Sequence, residues 1–486
     1  MTILDQTRWD GQIFSSGWHE AAGGTRAVVA PASGDQLGTV GLAGPDDVGR
    51  AAAAARAAQP SWAATPFQQR AAILRRAGQL IEDNAEEIQG WIIRESGSIV
   101  PKAQLETHVA AQECFEAATL PSRPYGRLLP SEEQRFSFER RVPCGVVGVI
   151  APFNVPLILG IRSVAPALAL GNAVVLKPDP RTAVCGGVVL ARVFEEAGLP
   201  DGVLHVLPGG AEAGEAMVAD PNIRVISFTG STAAGRKVGE AGARHLKRVH
   251  LELGGNNAMV VMEDADLERA VGAAAFGTFL HQGQICMTTG RHLVHEKLVG
   301  AYVEALAAKA EALPTGDPAK EQVALGPVID AGQRDKIHAL VTASVESGAT
   351  LSAGGTYDGL FYRPTVLSGV GPKTPAYAEE VFGPVAPVAS FATIEEAAAR
   401  AADTEYGLSL SILTRDPLKG LELAERIPSG IVHINDQTVS DEAQIPFGGV
   451  GASGNGSRFG GAEANIEAFT ETQWVTMNDE IPAYPF

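Results

Sequence analysis

Apolar positions across residues 46–118 recur every three or four residues, the spacing that lays one hydrophobic stripe along a helix. Asp46 and Asp47 are placed to cap an alanine-rich helix over 48–58, and 67–96 continues the helical spacing. From about residue 140 the rhythm changes. Short apolar runs, GVVGVI (145–150), NAVVLK (172–177), VLHVL (203–207), RVISF (224–228) and VHLEL (249–253), alternate with helix-like segments. Strands alternating with helices predict βαβ units and a parallel sheet, an α/β fold with a Rossmann-type nucleotide domain. A second α/β region covers about 254–455. It opens with the helix-like DLERAVGAAAFGTFLHQG (266–283), then pairs SLSILT (409–414) with LKGLELAERI (418–427) and GIVHIN (430–435). The segments 119–139 and 470–480 fit neither sheet and are expected to pack on another subunit.

A chain of 486 residues predicts two or three domains. Its 45% apolar and 19% charged residues are those of an ordered globular protein. A formal charge of −18, with lysine and arginine dispersed, excludes nucleic acid and anionic membranes as partners. Cys114, Cys144, Cys185 and Cys286 form no CxxC pair, which predicts reduced thiols and a cytoplasmic protein. The start, MTILDQTRWDGQ, lacks the basic-then-apolar order of a signal peptide. The most apolar stretch, 144–161, contains Pro152, Asn154 and Pro156, so it reads as strand, loop and helix start rather than a membrane span.

Candidate chemistry begins with Cys286 in HQGQICMTTGR. Gly283, Gly290, Thr288 and Thr289 surround it with a polar loop, where a thiolate is favoured and can act as nucleophile. The other three cysteines read as small buried hydrophobes. Glu252 ends a strand whose Val249, Leu251 and Leu253 are apolar, and Gly254–Gly255 follows. A carboxylate there faces the crevice where parallel sheets bind ligands, as a general base or, more plainly, as a strand-end ion pair. Asn154 lies between prolines in APFNVP; its amide suits an oxyanion, although a turn asparagine is the alternative. Phe228-Thr229-Gly230-Ser231 joins a strand to a helix, an arrangement that receives pyrophosphate. The formal GxGxxG at 449–454 is set aside. No strand precedes it, no helix follows directly, and a glycine-rich loop near the active site is the better reading.

In order along the chain, APFNVP, LKPDP, FTGST, LELGG, GQICM, EEVFGPV and PFGGVGASG together resemble the aldehyde dehydrogenase superfamily, with Glu252 and Cys286 separated by 34 residues. The resemblance implies an NAD(P)-binding domain (1–118 with 140–253), a catalytic domain (254–455) and an oligomerisation arm (119–139 with 470–486) in a homodimer or tetramer. It implies a cofactor site of Pro152, Phe153, Lys177, Asp179, Gly210, Gly230, Ser231, Glu380 and Phe382. Within it, Lys177 would hold the adenosine ribose, Glu380 the nicotinamide ribose, and Phe382 would back the nicotinamide. Cys286 would form a thioester, Asn154 would hold the oxyanion, and Glu252 would activate the hydrolytic water. No metal is called for.

Two positions depart from the pattern. Pro180 stands where a ribose-binding glutamate is usual, and Gly451 where lysine is common. Asp179 is expected to repel a 2′-phosphate, so NAD is favoured and NADP remains open. Further segments, among them GTFLHQGQICM, VHINDQTVSDEAQIPFGG and the ending PAYPF, resemble the benzaldehyde dehydrogenase branch, with its vanillin and salicylaldehyde relatives. The implied substrate is an aromatic aldehyde in a pocket of Val155, Arg162, Ile285, Met287 and Phe447. Val155 would widen the tunnel mouth; Arg162 either reaches the pocket or serves structure. A CoA-acylating enzyme and a catalytically silent protein on the same fold are the competing readings.

Overall fold

The five apolar runs form adjacent parallel strands in a computed structural model, which describes residues 2–123 and 125–486. In sheet order they are Arg248–Glu252, Ile223–Thr229, Val146–Ile150, Ala173–Lys177 and Leu204–Val206, extended by antiparallel Gln12–Ser15 and Trp18–Glu20. The three central-to-outer strands from Val146 onward are buried at every position because both faces are covered. Val146, Ile150, Val175 and Met217 share one core with the alanine-rich Pro45–Ala64 helix. Val147, Val149, Leu176, Leu157 and Ile161 share the other, under Pro156–Ala169.

The chain leaves Val146–Ile150 toward one side of the sheet and returns to the other at Ile223–Thr229. Loops at the carboxyl ends of these neighbours therefore diverge, and a crevice opens between them.

Two helical expectations need correction. The alanine-rich helix begins at Pro45 and runs to Ala64, longer than 48–58. It is capped from within, by the Asp47 carboxylate accepting the Gly44 and Ala22 N–H groups, both at 2.9 Å. The stretch 67–96 is two helices, Phe67–Asp83 and Ala85–Ser96, parted at Asn84. The Asn84 amide donates to Leu80 O at 2.7 Å, and no proline or glycine marks this break.

A second sheet orders Thr350–Ala353, Thr365–Ser368, Val385–Phe391, Thr289–His295, Asn257–Val261, Ser409–Leu413 and Ile431–Ile434, parallel except at its first pair. Thr470–Met477 pairs antiparallel along its length with Phe136–Pro143, which pairs in turn with Gly126–Leu128. This third sheet leaves Leu128, Phe136, Trp474 and Met477 exposed. No described helix is long and apolar enough to cross a membrane, and no cluster of metal-binding side chains occurs among the described residues.

Candidate active site

The crevice at the switch point is a cleft of about 1080 Å³. Its lining joins the Ala151–Asn154 loop, Lys177, Asp179, Gly210, Gly230 and Ser231 to Cys286, Glu380 and Phe382 from the second sheet's connections. Lys177 is nearly buried, and its ammonium donates to Gly209 O at 2.9 Å. Ser231 caps Thr232–Arg244, leaving the first N–H groups of that helix at the cleft. Phe153 meets Phe382 edge-on, ring centres 6.0 Å apart. The Glu380 carboxylate accepts the Gly255 N–H at 2.9 Å, and a Cβ on Gly254 would sit 2.3 Å from it. The cleft's volume, the helix terminus in its wall and the glycine floor under a carboxylate fit an extended dinucleotide.

Cys286 lies where this cleft meets a small apolar cluster of Ile285, Met287, Leu408 and Phe447. Its loop is entered through three consecutive left-handed residues, His281 (φ 50°), Gln282 (φ 56°) and Gly283 (φ 66°). Only the last is glycine, so the turn is held from outside. Gln282 donates to Gly97 O (2.9 Å) and Pro327 O (2.8 Å), and Gln284 accepts the Ile329 N–H at 3.0 Å. Asn257 donates to the carbonyls of Cys286 and Thr288, both at 2.8 Å. Asn154, 3% exposed, spends one amide proton on Gln284 O at 2.8 Å.

Glu252 is 4% exposed, and neither carboxylate oxygen has a hydrogen-bond partner. This is no strand-end ion pair. Burial lifts its pKa well above the usual range, opposed by the more distant charges of Arg458 and Arg162. The expectation of a thiolate-favouring loop needs correction as well. Burial pushes the Cys286 thiol up to about 12, and the Glu380 and Glu252 carboxylates add to the rise. The loop is polar in composition, but it is packed from all sides except where Cys286, itself half-buried, meets the cleft.

A nucleophile-type cysteine, an unpartnered carboxylate and a dinucleotide cleft meet in one place, and the whole-chain comparisons agree with that geometry. The family model described as "Aldehyde dehydrogenase family" matches residues 18–475. The chain belongs to that family. It is 68% identical over 486 residues to a vanillin dehydrogenase of an Amycolatopsis species, covering 100% of both chains. It is 53% identical to the benzaldehyde dehydrogenase [NAD(+)] of Pseudomonas putida, covering 99% of each. An NAD+ complex of a Bacillus cereus aldehyde dehydrogenase superposes with a TM-score of 0.93 at 32% identity, covering 97% of each chain. The fold is therefore the aldehyde dehydrogenase fold.

The remaining predicted residues divide. Asp179 does line the cleft, but it is not a free charge. Arg181 grips it through Nε and Nη2, each at 2.9 Å, pairs with Asp330 at 2.8 Å, and lies 4.2 Å over the Phe153 ring. A carboxylate neutralised in this way repels a 2′-phosphate weakly, which corrects the sequence expectation. Arg162 is buried beside Phe447 and is held by Glu113 and Asp441. Val155 is half-buried at the cap of Pro156–Ala169 and does not line the cofactor cleft. Gly451 takes φ +61°, and Glu405 O lies 2.5 Å from where its Cβ would be. The 449–454 loop bridges to Glu252 through Gly454, so it borders the site without cradling phosphate. Arg181, Glu113 and Asp441 carried no motif in the sequence. Only Arg181, two residues from Asp179, lay close enough to be sought there.

Proposed function

We propose that this enzyme oxidises an aromatic aldehyde to its carboxylic acid with NAD, through a thioester on Cys286. The observation that carries it is the position of Cys286 between the dinucleotide cleft and the Phe447 cluster, with a buried, unpartnered Glu252 acting on it. The names of the two full-length relatives support the ring and the cofactor.

Each residue then has a chemical task. The Cys286 thiol, hard to ionise where it sits, gives its proton to bulk solvent as the sulfur reacts. The sulfur adds to the carbonyl carbon, forming an S–C bond and placing the π pair on oxygen. The second Asn154 amide proton and the Cys286 N–H are the donors for that oxyanion. When NAD is bound it supplies the hydride acceptor. Collapse of the adduct then leaves a thioester, and Glu252 takes a proton from the water that adds to its carbon. Breaking the S–C bond releases the acid, and the proton held on Glu252 passes to the sulfur, which returns the thiol and frees the carboxylate for the next turnover. Lys177 and Glu380 would hold the two riboses, and Phe382 would back the nicotinamide. Pro152, Phe153, Gly210, Gly230 and Ser231 would shape the cleft. We also place the enzyme in the cytoplasm, where its four unpaired cysteines stay reduced, as a homodimer or tetramer built on the exposed third sheet.

A panel of aldehydes tests this reading. Burying an aromatic ring contributes roughly 25 cal/mol per Å² of apolar surface, to which stacking adds. Benzaldehyde is expected to exceed acetaldehyde in kcat/KM by at least about tenfold, some 1.4 kcal/mol. A short aliphatic aldehyde as the better substrate would overturn it.

The cofactor makes a second prediction. NAD is expected to exceed NADP in kcat/KM. Asp179→Ala narrows the gap by roughly fivefold, on the order of 1 kcal/mol, because Arg181 is freed beside the ribose. The double change Asp179→Ala, Arg181→Ala should restore the gap. A double variant that keeps the narrowed gap would return the effect to simple repulsion by Asp179.

The pH profile makes a third. Both reacting groups are shifted upward, so kcat/KM should climb from neutral toward alkaline pH. A profile already falling below pH 7 would contradict the burial of Cys286 and Glu252.

A further inference from the structure

The loop that carries Asn154 is held from behind by two buried side chains that have no part in the chemistry above. Lys102 and Glu106 lie one turn apart on the helix Val100–Ala117, 3% and 1% exposed, and form an ion pair. Each also has a second partner, and the two partners flank the Asn154 loop. The Lys102 ammonium donates to Asn154 O at 3.0 Å, and the Glu106 carboxylate accepts the Leu157 N–H at 2.8 Å. The loop does not supply these contacts itself. Val155 caps Pro156–Ala169 without a side-chain bond, and Pro156 has no N–H. The Leu159 N–H goes to Val155 O at 3.0 Å, one carbonyl beyond Asn154. Asn154 is thus fixed at two points, its main-chain carbonyl on Lys102 and one amide N–H on Gln284 O at 2.8 Å. With both ends of so short a side chain fixed, the direction of the remaining amide N–H is set. Asn154 shares the cleft wall with Cys286. The residues that lead into the same helix also steady the nucleophile's turn, since Gly97 O accepts from Gln282 at 2.9 Å.

We propose that Lys102 is a positioning residue for the oxyanion: through the Asn154 carbonyl it sets where the free amide N–H of Asn154 points. Glu106 holds the ammonium in place for that task. The inference rests on the reading of Asn154 as an oxyanion donor. The pair acts by geometry rather than by field. Its two charges offset each other at short range, and the charges that weigh on Cys286 are those of Glu380, Glu252, Asp441 and Arg162. Nor is the pair needed for stability as such, because well-packed apolar side chains of similar volume commonly do as well as a buried ion pair. What apolar side chains cannot do is hold a carbonyl and an N–H in register. A reacting group misplaced by on the order of 1 Å loses about a hundredfold in rate. That is the leverage open to a residue that touches neither substrate nor cofactor.

A mutant cycle tests it. The pair is replaced together, Lys102→Met with Glu106→Gln, so that no lone charge stays buried. In the otherwise wild-type enzyme, kcat/KM for benzaldehyde and the rate of the NADH burst are expected to fall by at least about tenfold, while the Kd for NAD stays within about twofold. In the Asn154→Ala background there is no amide to aim, and the same replacement should cost less than about twofold. A merely structural loss would cost the same in both backgrounds, and that result overturns the proposal. An unchanged burst rate in the otherwise wild-type enzyme overturns it too. So does a Kd for NAD weakened as much as the burst rate, because the pair would then serve the cofactor cleft. Lys102→Gln keeps a donor for Glu106 on a shorter side chain, and it runs through the same cycle if the double replacement does not fold. Asn154→Ala with a wild-type burst rate would overturn the oxyanion reading itself. A slow Asn154→Ala enzyme that loses about tenfold more with the pair overturns this inference alone.

Discussion

Cys286→Ala is expected to leave less than about one per cent of wild-type dehydrogenase turnover, with cofactor binding and the fold retained. The loss is that of the bond-forming atom, and the surroundings of the thiol predict little else. The loop is fixed through Asn257, Gln282 and Gln284, whose hydrogen bonds do not involve the sulfur. Alanine removes one small group from a wall shared with the cofactor cleft, so the cleft stays intact. Steady-state turnover and NAD titration by protein fluorescence check both halves. Turnover near wild type in a clean preparation would take the nucleophile's role away from Cys286.

Glu252→Gln should separate the two halves of the reaction. The amide can accept no proton from water, so thioester hydrolysis slows while acylation proceeds. A burst of about one NADH per active site is expected, followed by a steady state slower by two or more orders of magnitude. A steady rate equal to wild type without a burst would mean that another group activates the water. The same substitution should raise thermal stability, an outcome unusual for a catalytic lesion. In wild type the buried carboxylate has no partner, and its folded-state pKa lies above its unfolded value. The folded state then holds the proton more tightly. Its stability falls as pH rises through the interval between the two values. Glutamine carries no such penalty, so the Tm gap in its favour should open above the ordinary carboxylate range and widen with pH. A gap that is flat with pH would show that Glu252 is not desolvated.

How much of this was legible beforehand depends on the distance over which each feature is encoded. The strand rhythm from residue 145 placed the parallel sheet, and with it the crevice between Ile150 and Gly230, because each strand is a local apolar run. Glu252 and Cys286 stood out because a strand-end carboxylate before two glycines and a cysteine in a glycine-threonine loop are local patterns. The break at Asn84 was hidden because asparagine fits a helical period as well as a cap. The ionisation of Cys286 was misread because burial is a property of everything that packs on a loop, and composition reports only the loop itself. Arg162 reaches Asp441 across 279 residues and Glu113 across 49, and no sequence pattern joins them. Asp179 was read as a lone charge although Arg181, two positions away, neutralises it.

The left-handed turn before the nucleophile has a consequence for anyone who would shorten this chain. Its clamps come from Gly97, Pro327 and Ile329, which the fold brings from widely separated parts of the polypeptide. None of these backbone groups is assigned a task in the chemistry. A minimal enzyme built from the nucleotide sheet and the Cys286 region alone would keep the reacting side chains and lose the frame that aims them. The helices before residue 118, which a map of contacts to substrate would mark as dispensable, belong to the reactive centre in the mechanical sense.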